Sequence, residues 1–154
     1  MYQISLTKLD NIDILFFEKL RIKFDKKKKI VFFDDIKKII YVRYFFLSLL
    51  LFLKSLLFLK SVSLRNIYLN IIFQKLSPKV AIGCDYNKKI FSIKKICPNT
   101  ITICYQFSYI YKNRIKFYKK LLSQKSANYF LVFNARMKKM VESIFKKDVK
   151  IFIV

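Results

Sequence analysis

Four polar residues stand where a chain of this kind would place chemistry: Asp85, Asn87, Gln106 and Asn134. Each lies just past a short apolar run, at 80–84, 100–105 or 129–133. A carboxylate at Asp85 can take a proton or accept a hydrogen bond from a sugar hydroxyl. The amides of Asn87, Gln106 and Asn134 both donate and accept, which suits hydroxyls and carbonyls. The same residue types also favour turns and helix caps for reasons unrelated to any ligand. Both readings stand at Asp85 and Gln106, whereas capping of the next helix leads at Asn134. Asp34-Asp35 also follows an apolar run and offers a carboxylate pair, but the solvated-turn reading leads there.

Several chemistries are excluded by composition. The 154 residues contain no His, so neither a histidine base nor a Ser-His-Asp arrangement is available. A single Gly cannot build GxGxxG or GxxxxGK[ST] phosphate loops. Cys84, Cys97 and Cys104 form no CxxC pair and have no His companions, which argues against zinc. No metal and no cofactor is therefore expected, and no catalytic residue can be named. An odd cysteine count and an N-terminus without the apolar core of a signal peptide point to a reducing cytoplasm.

The elements that must position these residues come from the apolar pattern. Strands are predicted at 12–17, 30–33, 80–84, 100–105, 129–133 and 149–154, in runs apolar enough to be covered on both faces. A charged turn at 26–29 separates the first two. Ser63 is placed to cap a helix carrying Leu64, Ile67, Tyr68, Ile71 and Ile72, stopped near Pro78. Further helices are predicted through Ile90, Phe91 and Ile96, over 113–122, and from Asn134 through Met137, Met140, Val141, Ile144 and Phe145. Strands alternating with helices of this length require crossovers and a parallel sheet. The predicted class is α/β, a Rossmann-like doubly wound parallel sheet with helices on both faces, in a single domain spanning 1–154. In such sheets ligands bind beyond the C-terminal ends of the strands, where the four polar residues fall.

The net charge is +23, with 27 Lys against 5 Arg. Lys, Phe, Tyr and Ile are all abundant and Gly, Pro and Trp scarce, a composition that AT-rich codons alone would produce. Nucleic acid is disfavoured as a partner, because Arg is few, the charge is spread out and no nucleic-acid motif is present. An anionic membrane surface remains as a partner. Residues 39–59 leave three alternatives open: a buried core helix, an interfacial membrane helix, or a span. Arg43, Lys54 and Lys60 interrupt the run at intervals short for a span of about 20 apolar residues.

From residue 77 to 154 the order of turns resembles bacterial surface carbohydrate biosynthesis proteins with a glycosyltransferase-B-like fold. The motifs are Cys84-Asp85-Tyr86-Asn87 before a helix, Tyr105-Gln106-Phe107-Ser108 after the next strand, and Tyr129-Phe130-Leu131-Val132-Phe133 leading through Asn134 to an amphipathic helix and a last strand. Residues 1–76 match in architecture only. Relatives tend to have Asn-Gly after the Gln and Gly after the Phe-Val-Phe strand, where this chain has Phe107-Ser108 and Asn134. The resemblance implies the N-terminal, acceptor-side domain of a protein of cell-surface polysaccharide biosynthesis, acting on a sugar or lipid-linked acceptor. It also implies a C-terminal domain for the sugar nucleotide. A chain ending on a buried apolar strand, 149–154, leads to the expectation of truncation before that domain, and of no turnover by this half alone. Its expected location is cytoplasmic, peripheral on the inner face of the membrane. The rival reading is a small basic membrane-associated structural or interaction protein built around residues 44–59.

Overall fold

A computed structural model describes residues 2–19, 27–58, 62–87, 89–107, 127–145 and 149–154, together with Ile115, Lys116 and Lys119. The described strands are β1 (Gln3–Ser5), β2 (Ile14–Phe16), β3 (Ile30–Phe32), β4 (Ile39–Tyr41), β5 (Val80–Cys84), β6 (Ile101–Tyr105), β7 (Tyr129–Val132) and β8 (Lys150–Ile153). The helices are α1 (Phe33–Ile36), α2 (Val42–Leu57), α3 (Leu64–Leu76), α4 (Ile93–Ile96) and α5 (Ala135–Glu142). Six strands form one sheet in the order β3-β2-β5-β6-β7-β8, and every neighbouring pair is parallel. The class is α/β, as the apolar runs require.

Strand order decides where a ligand would sit. From β2 the chain moves to β3 on one side, then returns to β5 on the other side of β2. The order reverses between β2 and β5. The crevice beyond their C-terminal ends is the usual binding place in open parallel sheets.

One sheet face carries the core. Register places Leu15 beside Ala81, Ala81 beside Thr102, Gly83 beside Cys104, and Cys104 beside Phe130. All of these are buried. Ile72 and Phe73 of α3, Ile93 of α4, and Met137 and Val141 of α5 join the apolar ones in a single hydrophobic cluster. Residues on the other face, Ile82, Ile103 and Leu131, are half-buried. The helix expected at 113–122 lies outside the described residues, apart from Ile115, Lys116 and Lys119, which are helical.

Several expectations need correction. Residues 39–59 do not form one buried helix. Residues 39–41 are β4, which pairs in parallel with β1, a strand the sequence pattern did not reveal. The Tyr68 hydroxyl accepts the Tyr41 N–H at 2.9 Å and donates to the Ile39 carbonyl at 3.3 Å. In α2 only Tyr44 and Ser48 are buried, so it is not a core helix. Among the described residues no helix is long and apolar enough to cross a membrane. Asp34 and Asp35 lie in the first turn of α1, not in a strand-ending turn, and pair with Lys37 at 2.7 Å and Lys19 at 3.0 Å. The helix predicted through Ile90 shrinks to the single turn α4, preceded by hydrogen-bonded turns from Asn87. The last strand is an exposed edge paired with β7, with Phe152 and Ile153 half in solvent, so the expectation of a buried terminal strand fails.

Two positions show what a single glycine means for this backbone. Ser77 closes α3 in the left-handed region, φ 37°, where its N–H bonds the Phe73 carbonyl and a side chain is strained. Gly83 needs no unusual dihedral, but an added Cβ would stand 3.0 Å from the Phe17 Cβ and 3.3 Å from the Ile90 Cβ. Ser77→Gly is therefore expected to stabilise by about 0.5–1 kcal/mol. Gly83→Ala should cost about 1–3 kcal/mol by overpacking. Urea unfolding midpoints at unchanged slope would check both signs.

Candidate functional site

Phe17, Phe33 and Phe73 meet at ring centroid distances of 5.3, 5.5 and 5.9 Å, joining the end of β2 to α1 and α3. All three are buried. This aromatic wedge fixes the next residue, Glu18, at the reversal point of the sheet. Glu18 reaches sideways across the rim to β5. Its Oε2 accepts the Cys84 N–H at 3.0 Å and the Tyr105 hydroxyl at 3.4 Å. Its Oε1 accepts the Asn87 side-chain amide at 3.1 Å and the Cys84 thiol at 3.3 Å. An ionised carboxylate has about four acceptor positions, and here all are filled.

The same device repeats along the rim. An Asp85 carboxylate oxygen accepts the Phe107 N–H at 3.3 Å, one strand further on. The Gln106 side-chain oxygen accepts the Phe133 N–H at 3.4 Å, again one strand further. Asp85 and Gln106 are each 2% exposed. Three successive strand exits are thus tied laterally by side chains that follow their own strands. Each bond satisfies a backbone donor that the sheet ladder leaves open at its end.

A cleft of about 580 Å³ opens above β2 and β5. Glu18, Cys84 and Asn87 form its floor, Tyr86 and Phe107 stand at one side, and Lys37, Arg65 and Lys89 converge on it. Tyr86 and Phe107 pack edge to face at 5.6 Å and both remain more than half exposed. Of the four predicted residues, Asn87 lines this cleft. It is held on both sides, donating to Glu18 and accepting the Lys89 N–H at 3.2 Å. Asp85 and Gln106 lie in the rim beneath, where they make the lateral ties. Asn134 caps α5, accepting the Met137 N–H at 2.9 Å. That agrees with the capping reading of its position.

The sequence reasoning missed Glu18 and all three cations. Glu18 carried a signal, being the first polar residue after the apolar run 12–17, the criterion that selected Asp85. Lys37, Arg65 and Lys89 carried none, since they are three basic residues among 32. Among the described residues Arg65 and Lys89 make no ion pair, and Lys37 is shared with Asp34. Burial, and then the charges of Arg65 and Lys37, hold the Lys89 ammonium below the ordinary lysine pKa. An anion in the cleft would offset the like-charge part of that shift.

Thiol chemistry is not supported. Burial first, reinforced by the Glu18 carboxylate, pushes the Cys84 thiol up to about 11. Burial raises Cys97 and Cys104 as well. A nucleophilic cysteine needs the opposite shift. Among the described residues no group of His, Cys, Asp and Glu is arranged to hold a metal ion. No protein-family model, no curated protein and no solved structure matches this chain significantly.

The Glu18 hub makes a measurable prediction. Glu18→Gln should cost about 1–3 kcal/mol, because it removes a charged acceptor from buried donors. It should also lower the Cys84 pKa, since the carboxylate charge favours the neutral thiol. In the parent chain, alkylation of Cys84 should rise with pH until about 11. In the variant the inflection should fall, and an unchanged inflection would show that Glu18 does not control this thiol.

Proposed function

We propose that this chain is an acceptor-side, Rossmann-like domain of a glycosyltransferase-B-like protein of surface-polysaccharide biosynthesis. Its cleft binds the phosphate-bearing end of a sugar or lipid-linked acceptor. The observation that carries this reading is the convergence of Lys37, Arg65 and Lys89 on the cleft at the sheet's reversal point, beside two exposed aromatic rings.

The physical reasons are specific. Glu18 is fully committed to protein donors, so the free binding capacity of the cleft is cationic and aromatic. Arg65 offers a forked donor to a phosphate, and the two lysines add point charge. No glycine-rich loop is needed, because side chains supply the donors that backbone N–H groups supply elsewhere. The exposed faces of Tyr86 and Phe107 offer an apolar surface for the C–H face of a sugar ring. The resemblance in the turns after β5, β6 and β7 supports the same class. Donor binding belongs to a second domain in such proteins, so residues 1–154 form one wall of the transfer site.

Glucose 1-phosphate, glucose and inorganic phosphate serve as probes. Saturation-transfer NMR should show glucose 1-phosphate binding best, phosphate weakly, and glucose hardly at all. Arg65→Ala should weaken the sugar phosphate by about tenfold or more, the worth of one charge-assisted contact. The Lys89 ammonium should titrate below the ordinary lysine range in the free chain and move upward when the probe binds. Equal binding of glucose and glucose 1-phosphate, or no shift at Lys89, would remove the anion-binding reading. Residues 1–154 alone should transfer no sugar from a nucleotide donor; measurable transfer would refute the acceptor-side assignment.

A further inference from the structure

The second unexplained surface is α2. Phe46, Leu50, Leu53 and Leu57 follow one another at spacings of four, three and four residues, which places them on one helix face. They are 59, 65, 51 and 83% exposed. The opposite side packs on α3, and the Tyr44 hydroxyl accepts the Leu9 N–H at 3.1 Å, so the helix is fixed in place. Beside this stripe lies a hollow of about 390 Å³. Phe46, Leu47 and Leu50 supply apolar lining, and Lys8, Arg43 and Lys75 also line it. Among the described residues none of these three cations makes an ion pair.

We propose that this face docks on an anionic phospholipid surface, with one lipid phosphate held among Lys8, Arg43 and Lys75 and the α2 stripe sunk among the acyl chains. Charge selects this occupant. No acidic residue occurs between Asp35 and Asp85, so α2 and the chain on both sides of it carry positive charge only. A second copy would bring like charges together, whereas an anionic bilayer offers negative charge over an apolar interior, matching both features. The 16 residues of α2 extend about 24 Å, short of a hydrocarbon core of about 30 Å. The helix therefore lies in the interface rather than across it.

The test uses the full chain and sucrose-loaded vesicles of phosphatidylcholine, with or without one quarter phosphatidylglycerol. Binding should need phosphatidylglycerol. Arg43→Ala and Lys75→Ala should each weaken it about fivefold, the worth of one cation near such a surface. Leu50→Glu should weaken it more than tenfold. Lys138→Ala and Lys150→Ala, which alter cations on α5 and β8, should leave it unchanged. All five positions are at least partly exposed, and circular dichroism checks that each variant folds. The chain has no Trp, so Phe46→Trp adds a single reporter. Its emission should shift blue on binding and be quenched by brominated acyl chains. Equal binding to both vesicles, equal loss from the control lysines, or an unshifted reporter would overturn the proposal. A concentration-dependent dimer that Leu50→Glu dissolves, without vesicle binding, would assign the face to a second copy and overturn it too. None of these results bears on the cleft, which uses different residues.

Discussion

The arrangement of this protein depends on one carboxylate. Glu18 leaves the end of β2 and accepts donors from β5, from the turn after it, and from β6. A parallel sheet has open backbone donors at its C-terminal rim, and a reversal of strand order widens the rim there. Glu18 closes that gap from the side, and the wedge of Phe17, Phe33 and Phe73 sets its position from below. Without it, the Cys84 N–H and the Asn87 amide would lose an acceptor, and the turn that carries Tyr86 and Lys89 would lose its anchor. Asp85 and Gln106 continue the same solution across the next two gaps. Three side chains therefore shape the platform on which other side chains can meet a ligand.

This division of labour explains what could be read from the sequence. The strands after residue 80 were legible because each is a compact apolar run closed by a polar turn. Their parallel pairing followed from the helical segments between them. The rim residues were legible as positions but not as roles. Asp85 and Gln106 carry the right groups for a ligand, yet they are spent on the Phe107 and Phe133 backbone. A lateral bond depends on which strand lies next door, and sequence order does not state that. The first half was less legible for the same reason. β4 depends on a distant partner strand, β1, and a tyrosine 27 residues away bonds its backbone. The terminal strand looked buried because it is apolar, but its place at the sheet edge leaves it half in solvent. Composition indicated how apolar each segment is; topology decided which apolar segments are covered.

Charge is organised by the same topology. The acid-free stretch between Asp35 and Asp85 reads in sequence as diffuse lysine enrichment. Folding sends it two ways. Lys37 and Arg65 turn toward the cleft and join Lys89, while Arg43 and Lys75 surround the hollow beside α2. In a typical surface, acids interspersed along these elements would pair with the cations and leave little field. Here Lys37 finds Asp34, whereas Arg43, Arg65 and Lys75 have no acid in the chain around them, and burial followed by the charges of Arg65 and Lys37 lowers the Lys89 pKa.

A depressed lysine pKa has a fixed meaning for stability. The charged form is disfavoured in the folded chain, so below its folded pKa Lys89 works against folding. That penalty fades only as pH rises toward the ordinary lysine range. At neutral pH the protein therefore carries an unfavourable charge at the point where the sheet order reverses. A solvated lysine far from Arg65 and Lys37 would avoid that cost. Burial, and then the like charges of Arg65 and Lys37, disfavour the charged Lys89 in the free fold, and an anion entering the cleft would offset the like-charge part. The placement of Lys37, Arg65 and Lys89 around one cleft at the reversal point is the geometric ground for reading it as an anion site, and the direction of the Lys89 shift agrees with that placement.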